Sequence, residues 1–566
     1  MTGNFDFPES VDFLVIGAGA AGLASALVAA DNGLRAVVLE KTEYLGGTTA
    51  YSAGTCWMPG HSLFGDDADG DRGAGEKYLD ALVGDKAPKE LRQQYLAVGP
   101  TMLERLSRLG VTFRHSRTVV DYHPELPGAG VGRALEPEPF DGRTLGRDRF
   151  SHIRPPVPEF ALFGGSLMVR RAEVNDLMGI FHASPKAVLL ALRLGWRWLF
   201  DILRYPRGTR LTMGNALVGT LYYQLLKRGG EVRLNANVKR LLIEDGRVSG
   251  AVVESDGREQ TINVTRGVVL AGGGFAAGRQ WRERLLPKPT PQYTRAAVGA
   301  SGETLALGVE AGGVIGDHGD NAFWFPSSVG TRRDGSLAVF PHIWDRAKPG
   351  IIAVAKSGRR FVDESVSYHR FTRAMYDAQR AGDEAVPAWL VLDQQTLRRY
   401  GLGLIRPMVP AAVRRRYVRQ GYIIEASSIA ELAERIGVDP AGLEATVRES
   451  NVAAADGLDK DFGKGSSSFG LQYGDPQHRP SPNLGPISRP PYYALAVVPT
   501  PLSTAAGLKT DKDARVVDAT GQPIPGLYAC GNDADSVMAA EYPGAGCQVG
   551  AGLTFGFLAA QHATRK

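Results

Sequence analysis

Residues 11–40, VDFLVIGAGAAGLASALVAADNGLRAVVLE, constrain this chain more than any other stretch. An apolar strand at 12–16 runs into Gly17, Gly19 and Gly22, a helix follows, and a second strand at 36–39 ends on Glu40. The first glycine permits a sharp turn, the second lets a pyrophosphate approach the backbone, and the third lets helix and strand pack closely. The helix N-terminus then stabilises the phosphate charge. Glu40 stands at the spacing where a carboxylate accepts both hydroxyls of an adenosine ribose. Glycine spacing alone carries little in a chain with 70 glycines among 566 residues. The strand, helix and acid around it make the stretch a dinucleotide site.

The length exceeds what one hydrophobic core usually supports, so two domains of unequal size are expected. A net charge of +5 is modest and dispersed, which argues against nucleic acid as a partner. Cys56, Cys530 and Cys547 form no CxxC pair. They fit a reducing compartment and offer neither a disulfide framework nor a metal site. The opening MTGNFDFPES lacks a basic run followed by an apolar one, so no export signal is expected and the cytoplasm is the default location.

Beyond Glu40, Gly46, Gly47, Thr48, Thr49 and Ser52 read either as a polar loop or as amides and hydroxyls beside the pyrophosphate. Apolar spacing predicts helix over 75–109. The following segment, around Tyr122, is rich in Pro and Gly, as segments that line a site often are. In 184–205, Lys186, Arg193, Arg197, Asp201 and Arg204 form a charged stripe on a helix otherwise covered by Trp and Leu. That pattern suits a helix lying in a membrane surface, and equally one packed on protein. Residues 217–227 read as helix, 231–234 as strand, and 244–246 as a hairpin turn. The run 266–276, RGVVLAGGGFA, delivers a buried strand into glycines, where backbone can pass close to a flat cofactor.

From 321 the character changes, with aromatics at 323–325, a strand-like IIAVAKSGRRFVDE before Tyr368, and helix over 427–454. This reads as an inserted substrate domain, 321–493, within a dinucleotide domain formed by 1–320 and 494–566. Near the end, YPGAGCQVG at 542–550 opens onto an apolar helix at 551–560, again presenting free amides.

Taken together, DYHPELPG and EPEPFDGR near Tyr122, GRRFVDES before Tyr368, TVRESNVAAADGLDKDFGKG, and EYPGAGCQVGAGLTFG around Tyr542 resemble the FAD-dependent 3-ketosteroid Δ1-dehydrogenases. The resemblance runs nearly end to end and implies an α/β, Rossmann-type FAD-binding domain with an inserted α+β catalytic domain. It implies FAD held by Gly17, Gly19, Ala20, Ala21, Gly22, Glu40, Lys41, Gly46, Gly47, Thr48, Thr49, Ser52, Ala53, Gly54, Val238, Ala271, Gly272, Gly273, Gly531, Asn532, Gln548 and Val549. It also implies a 3-ketosteroid substrate and an external electron acceptor. Tyr368 would take the C2 proton, Tyr122 would assist it, and Tyr542 with the Gly546 amide would hold the C3 oxygen. Two positions depart from the family: His123 stands where a second tyrosine is common, and Ala545 where proline is.

Phenolate at neutral pH costs about 4 kcal/mol, roughly three pKa units, so the site is expected to lower the base's pKa through a second hydroxyl or a cation. Three alternatives stay open from sequence. One is dehydrogenation at the 4,5 position. Another is a fumarate-type flavin reductase, which needs clustered arginine and histidine to grip carboxylates; no such pairing accompanies the catalytic motifs, but Arg359 and Arg360 keep it open. The third is an FAD-binding, membrane-associated protein without turnover.

Overall fold

The computed structural model describes residues 7–170, 173, 176, 177 and 184–565; residues 1–6, on which the export expectation partly rests, lie outside them. The opening unit forms as its pattern dictates: strand Ser10–Ile16, helix Ala20–Asp31, strand Ala36–Leu39. The two strands pair in parallel, Phe13 opposite Ala36 and Ile16 opposite Leu39. Phe13, Leu14 and Val15 are fully buried, and each such side chain contributes roughly 1.5–3 kcal/mol on leaving water. The helix has almost no exposed face, because the sheet lies on one side and helices Met213–Lys227 and Cys547–Thr564 cover the others.

Arg258–Leu270 pairs in parallel with the opening strand and with Pro523–Ala529, while Glu231–Arg233 extends the sheet beyond Ala36–Leu39. With the hairpin Asn237–Glu244 and Arg247–Ser255 and the edge strand Arg515–Val517, the sheet has eight strands among the described residues. Its parallel strands end together at Ile16, Leu39, Leu270 and Ala529. This edge is where an open α/β sheet binds ligands.

A second sheet, antiparallel and six-stranded among the described residues, runs Leu337–Pro341, Ala322–Thr331, Tyr492–Thr504, Ala388–Asp393, Ile351–Val354, with Ile424–Ala426 also on Tyr492–Thr504. Helix Tyr368–Arg380 packs on Ala322–Thr331. The strand containing position 494 continues in this sheet to Thr504.

Several elements differ from their sequence patterns. Helix over 75–109 is two helices, Ala68–Val83 and Lys89–Arg108, separated at Gly84, which has φ +56°. Residues 427–454 likewise split into Ile429–Ile436 and Pro440–Asp456 at left-handed Gly437. The strand in 351–364 stops at Val354, and the final helix begins at Cys547 rather than 551.

The amphipathic segment is the helix Pro185–Ile202. Ala187, Leu194 and Asp201 face inward, and Leu190 and Trp198 pack beside them on Leu167 and Val169. The charged stripe is partly consumed by the protein. Arg197 pairs with Asp141 at 2.8 Å, and Asp201 accepts from the Thr209 amide and hydroxyl at 2.8 and 2.7 Å. The apolar side faces outward instead, with Leu189 69% and Leu203 74% exposed beside Leu192, Trp196 and Phe200. Among the described residues no helix is long and apolar enough to cross a membrane.

Candidate active site

A deep cavity of about 370 Å³ opens at the carboxyl edge of the first sheet and extends to the second. It is lined by every residue expected to hold the cofactor or act on the ketone, except Gly22 and Gly46. Those two serve the turns. A Cβ on Gly22 would meet Gly17 O at 2.1 Å, and the Gly46 amide donates to Ala18 O at 2.8 Å.

At the sheet edge the wall is largely backbone. Gly17 has φ +114°, and a Cβ there would lie 2.2 Å from Ala271 O, so neither conformation nor space admits a side chain. Gly19 and Gly47 are different: a Cβ on either would meet no protein atom closer than 3.9 Å. Packing does not require glycine there; the open space lies toward the cavity, as the approach of a pyrophosphate requires. Glu40 is buried and accepts from the Ala18 amide (3.2 Å) and from the Thr42 amide and hydroxyl (3.0 and 2.7 Å). Lys41 reaches Ser301 Oγ (2.6 Å) and Glu303 (3.0 Å). These residues fit a dinucleotide.

Asp533 escaped the sequence reading. Fully buried, it accepts from the Gly272 and Gly274 amides at 2.6 and 2.7 Å and so fixes the glycine turn after Leu270. Burial raises its pKa, opposed by those same amides. The GND following strand Pro523–Ala529 was the available signal. The segment 295–304 also lines the cavity, and its GASGE turn before helix Glu303–Glu310 was a weaker one.

At the other end the wall is aromatic. Tyr122 lies on the Pro- and Gly-rich loop, and its amide donates to Pro543 O at 2.9 Å, the same oxygen that accepts from Tyr78 OH at 2.7 Å. Neighbouring Asp121 binds Trp57 Nε1 (2.7 Å) and Arg133 (2.6 Å); burial pushes it up to about 6 despite Arg133. Tyr368 is the first residue of its helix, capped by Ser367. The Tyr122 and Tyr368 hydroxyls stand 3.0 Å apart. Tyr542 stacks on Tyr122 at 5.1 Å and meets Tyr368 edge-on at 5.3 Å. Gly546 caps the last helix at φ +95°, with Thr55 O 2.1 Å from where a Cβ would be. None of the described residues accepts from its N–H. Three tyrosines and one free amide, from three separate stretches of the sequence, therefore converge.

The expectation of a lowered tyrosine pKa is reversed in the structure. Burial pushes Tyr122, Tyr368 and Tyr542 all well above the ordinary tyrosine value. For Tyr368 electrostatic coupling to Tyr542 adds to this, and the hydrogen bond with Tyr122 opposes it without winning. A buried cation does lie behind the helix. Arg346 donates to His342 O (2.8 Å) and Glu364 O (2.6 Å) and sits 5.0 Å from the Phe371 ring, one turn beyond Tyr368. Nothing in the local sequence marked it.

Two other constellations lie outside the cavity. Ser328, His342 and Asp345 form a hydrogen-bonded series (2.8 and 2.7 Å), but it is closed in the core with Tyr422 OH on the serine at 2.8 Å. It holds the back of wall residues 341–344. Arg359 pairs with Glu449 (3.2 Å), and Arg360 with Glu364 (2.8 Å) and Asp459 (2.9 Å), so neither forms a carboxylate grip in the cavity.

The sequence matches the FAD binding domain family over residues 12–549. It is 37% identical to the 4-oxocyclohex-2-ene-1-carboxylate 5-dehydrogenase of Sinomonas cyclohexanicum, over 98% of this chain and 94% of that one. It is 35% identical to the 3-oxosteroid 1-dehydrogenase of Mycobacterium tuberculosis, over 98% of each. The structure is similar to that of 3-ketosteroid Δ1-dehydrogenase from Sterolibacterium denitrificans in complex with 1,4-androstadiene-3,17-dione, with TM-score 0.91, 34% identity, and coverage of 98% of this chain and 100% of that one. The chain is an FAD-dependent oxidoreductase and belongs to the FAD binding domain family, in the group that includes the 3-oxosteroid 1-dehydrogenases.

Proposed function

We propose that this enzyme removes the hydrogens at C1 and C2 of a 3-ketosteroid A-ring, as a step of steroid degradation. The convergence of Tyr122, Tyr368, Tyr542 and the Gly546 amide on one cavity carries the reading. A C3 oxygen accepting from Tyr542 OH and Gly546 N–H stabilises the developing enolate and makes the C2 proton removable. Tyr368 takes that proton as phenolate, and Tyr122 donates to the phenolate oxygen. The first position of a 13-residue helix favours the anion, and Arg346 adds positive charge behind it. FAD, when bound, supplies the oxidant that accepts the C1 hydrogen as hydride, and an external acceptor removes the electrons. Residues 321–493, the substrate domain in this reading, contribute Tyr368 to the ketone end, while 1–320 and 494–566 hold the cofactor and contribute Tyr122, Tyr542 and Gly546. Glu40 holds the ribose, the turn at 17–21 with Thr48 and Thr49 the pyrophosphate, and 271–273, 531–532 and 548–549 the flavin.

Anaerobic titration of the bound flavin with 3-ketosteroids saturated at C1–C2 tests this: bleaching is expected, with a 1-ene product. A flavin left oxidised by the whole panel sinks the reading, and a 4-ene product moves the chemistry to the 4,5 position. The outward apolar face of Pro185–Ile202 rests, in the same reading, on the inner surface of the cell membrane, from which lipophilic substrate enters. Equal liposome sedimentation of wild type and L189D/W196D/L203D removes that part. A second reading, a ring ketone smaller than a steroid, is favoured by the Sinomonas relative and by guanidinium groups on the cavity wall at Arg114, Arg170 and Arg295. The same titration with 4-oxocyclohexanecarboxylate decides between them.

A further inference from the structure

Four arginines line the cavity, Arg114, Arg154, Arg170 and Arg295, and two of them, Arg154 and Arg295, have no carboxylate partner among the described residues. Arg154 donates to Thr42 Oγ1 (2.7 Å) and Tyr44 O (3.2 Å) beside Glu40 on the cofactor side. Arg170 pairs with Glu173 at 2.9 Å, and Arg114 lies 3.8 Å from Glu136. Arg295 has no carboxylate within 4.0 Å among the described residues. Glu159 on the neighbouring loop is already taken, with both oxygens on Arg332 at 2.6 and 3.0 Å. Of the Arg295 side-chain donors, one finds a protein acceptor among the described residues, Val339 O at 2.8 Å. Burial pushes this guanidinium down to about 10, against the pull of Glu159. The guanidinium is half-buried on the cavity wall, so its remaining donors are open to an acceptor that a ligand brings into the cavity.

Its placement says on which side that acceptor lies. The Arg295 amide donates to Pro501 O at 3.0 Å. Pro501 pairs with Trp324, whose neighbours Phe323 and Phe325 pack against Tyr542 and Tyr368. Two residues on, the Ala297 amide reaches Thr48 Oγ1 at 3.0 Å, on the cofactor side. The Arg295 side chain reaches Val339 O and the Phe160 ring at 5.8 Å, beside wall residue Pro341, with Tyr51 at the end of the Thr48 loop also within range of its charge.

We propose that Arg295 is an anion subsite of the substrate cavity and that the ring ketone oxidised here carries a carboxylate. This rests on the ketone-oxidising reading above. The planar guanidinium suits a two-point grip on a carboxylate, while Tyr542 and Gly546 hold the ketone oxygen, so the substrate is fixed at both ends. The acid can sit on a steroid side chain or on a single ring, and the test separates these.

The holoenzyme is mixed anaerobically with two pairs of probes: a 3-ketosteroid bearing a side-chain carboxylate and its methyl ester, and 4-oxocyclohexanecarboxylate and its methyl ester. Flavin reduction per unit dissociation constant is expected to favour one acid over its ester by about 100-fold. R295M is expected to weaken the acid far more than the ester and so erase that preference, and R295K to restore part of it. Calorimetry with 4-hydroxybenzoate and its methyl ester gives the same comparison without turnover. If no ketone reduces the flavin, the reaction is wrong and calorimetry alone decides the subsite. Equal handling of acid and ester by the wild type overturns the proposal. So does R295M losing FAD and weakening acid and ester alike, which would assign Arg295 to the cofactor phosphates.

Discussion

At the sheet edge of the cavity the protein presents backbone, whereas at the ketone end it presents side chains. The first wall is set by turns at Gly17, Gly47, Gly272 and Gly531, where what matters is the absence of atoms. The second is set by three hydroxyls on packed rings, where what matters is a single atom on each. The contrast teaches that the two ends fail in different ways. The cofactor end is sensitive to volume and the ketone end to chemistry at constant volume.

Gly17→Val attacks the first end most severely. Its Cβ would collide with Ala271 O at 2.2 Å, so the purified protein is expected to lack the flavin absorbance band altogether. A normally yellow variant would break the comparison. Tyr368→Phe keeps shape and removes the base. Flavin reduction should fall by about 10²–10⁴ with FAD fully retained, as measured in single turnover. Tyr542→Phe removes one of two oxyanion donors and is expected to cost about 10²–10³.

Tyr122→Phe should have a smaller, pH-dependent effect. Because burial holds Tyr368 above the ordinary tyrosine value, flavin reduction by wild type is expected to rise with pH rather than level off near neutrality. Removing the Tyr122 hydroxyl takes away the bond that lowers Tyr368, so the rise should move further alkaline. A move toward acid would contradict the assigned roles. The least effect is on stability. Burial opposes ionisation of Glu541, yet Arg373 and Lys86 hold it down to about 2, below the usual carboxylate range. The stability it contributes is present above the ordinary value of 4.5 and is lost as pH falls toward 2. Glu541→Gln should therefore lower Tm at neutral pH and flatten its acid decline, read by calorimetry.

The backbone-built end was the more legible in sequence, for a physical reason. A turn that admits only glycine announces itself locally, and the strand and helix on either side of Gly17 carry their own periodicities. Tyr122, Tyr368 and Tyr542 became readable through the segments around them. Arg346, Arg295 and Asp533 were not, because each acts through partners brought near only by tertiary pairing. The helix interruptions carried a local signal, Gly84 with Pro88 and Gly437 with Asp439 and Pro440, but the helical spacing on either side of each was read through it. The charged stripe of 184–205 was visible, but the inward turn of Arg197 and Asp201 depended on Asp141 and Thr209.

The second sheet enters and leaves the molecule at one place. Ala322, where its first strand begins, lies directly opposite Thr504, where its longest strand ends. The segment between these ends joins the chain at a single rung, and beyond that rung it is tied to the rest by side chains such as Tyr368 on Tyr122, Arg373 on Glu541 and Arg332 on Glu159. Exchange of 322–504 between relatives would carry the Tyr368 helix with it and leave Tyr122, Tyr542 and the glycine turns behind. Inheritance could then vary substrate choice on a fixed oxidising chassis, and a grafted chimera offers the engineer the same joint.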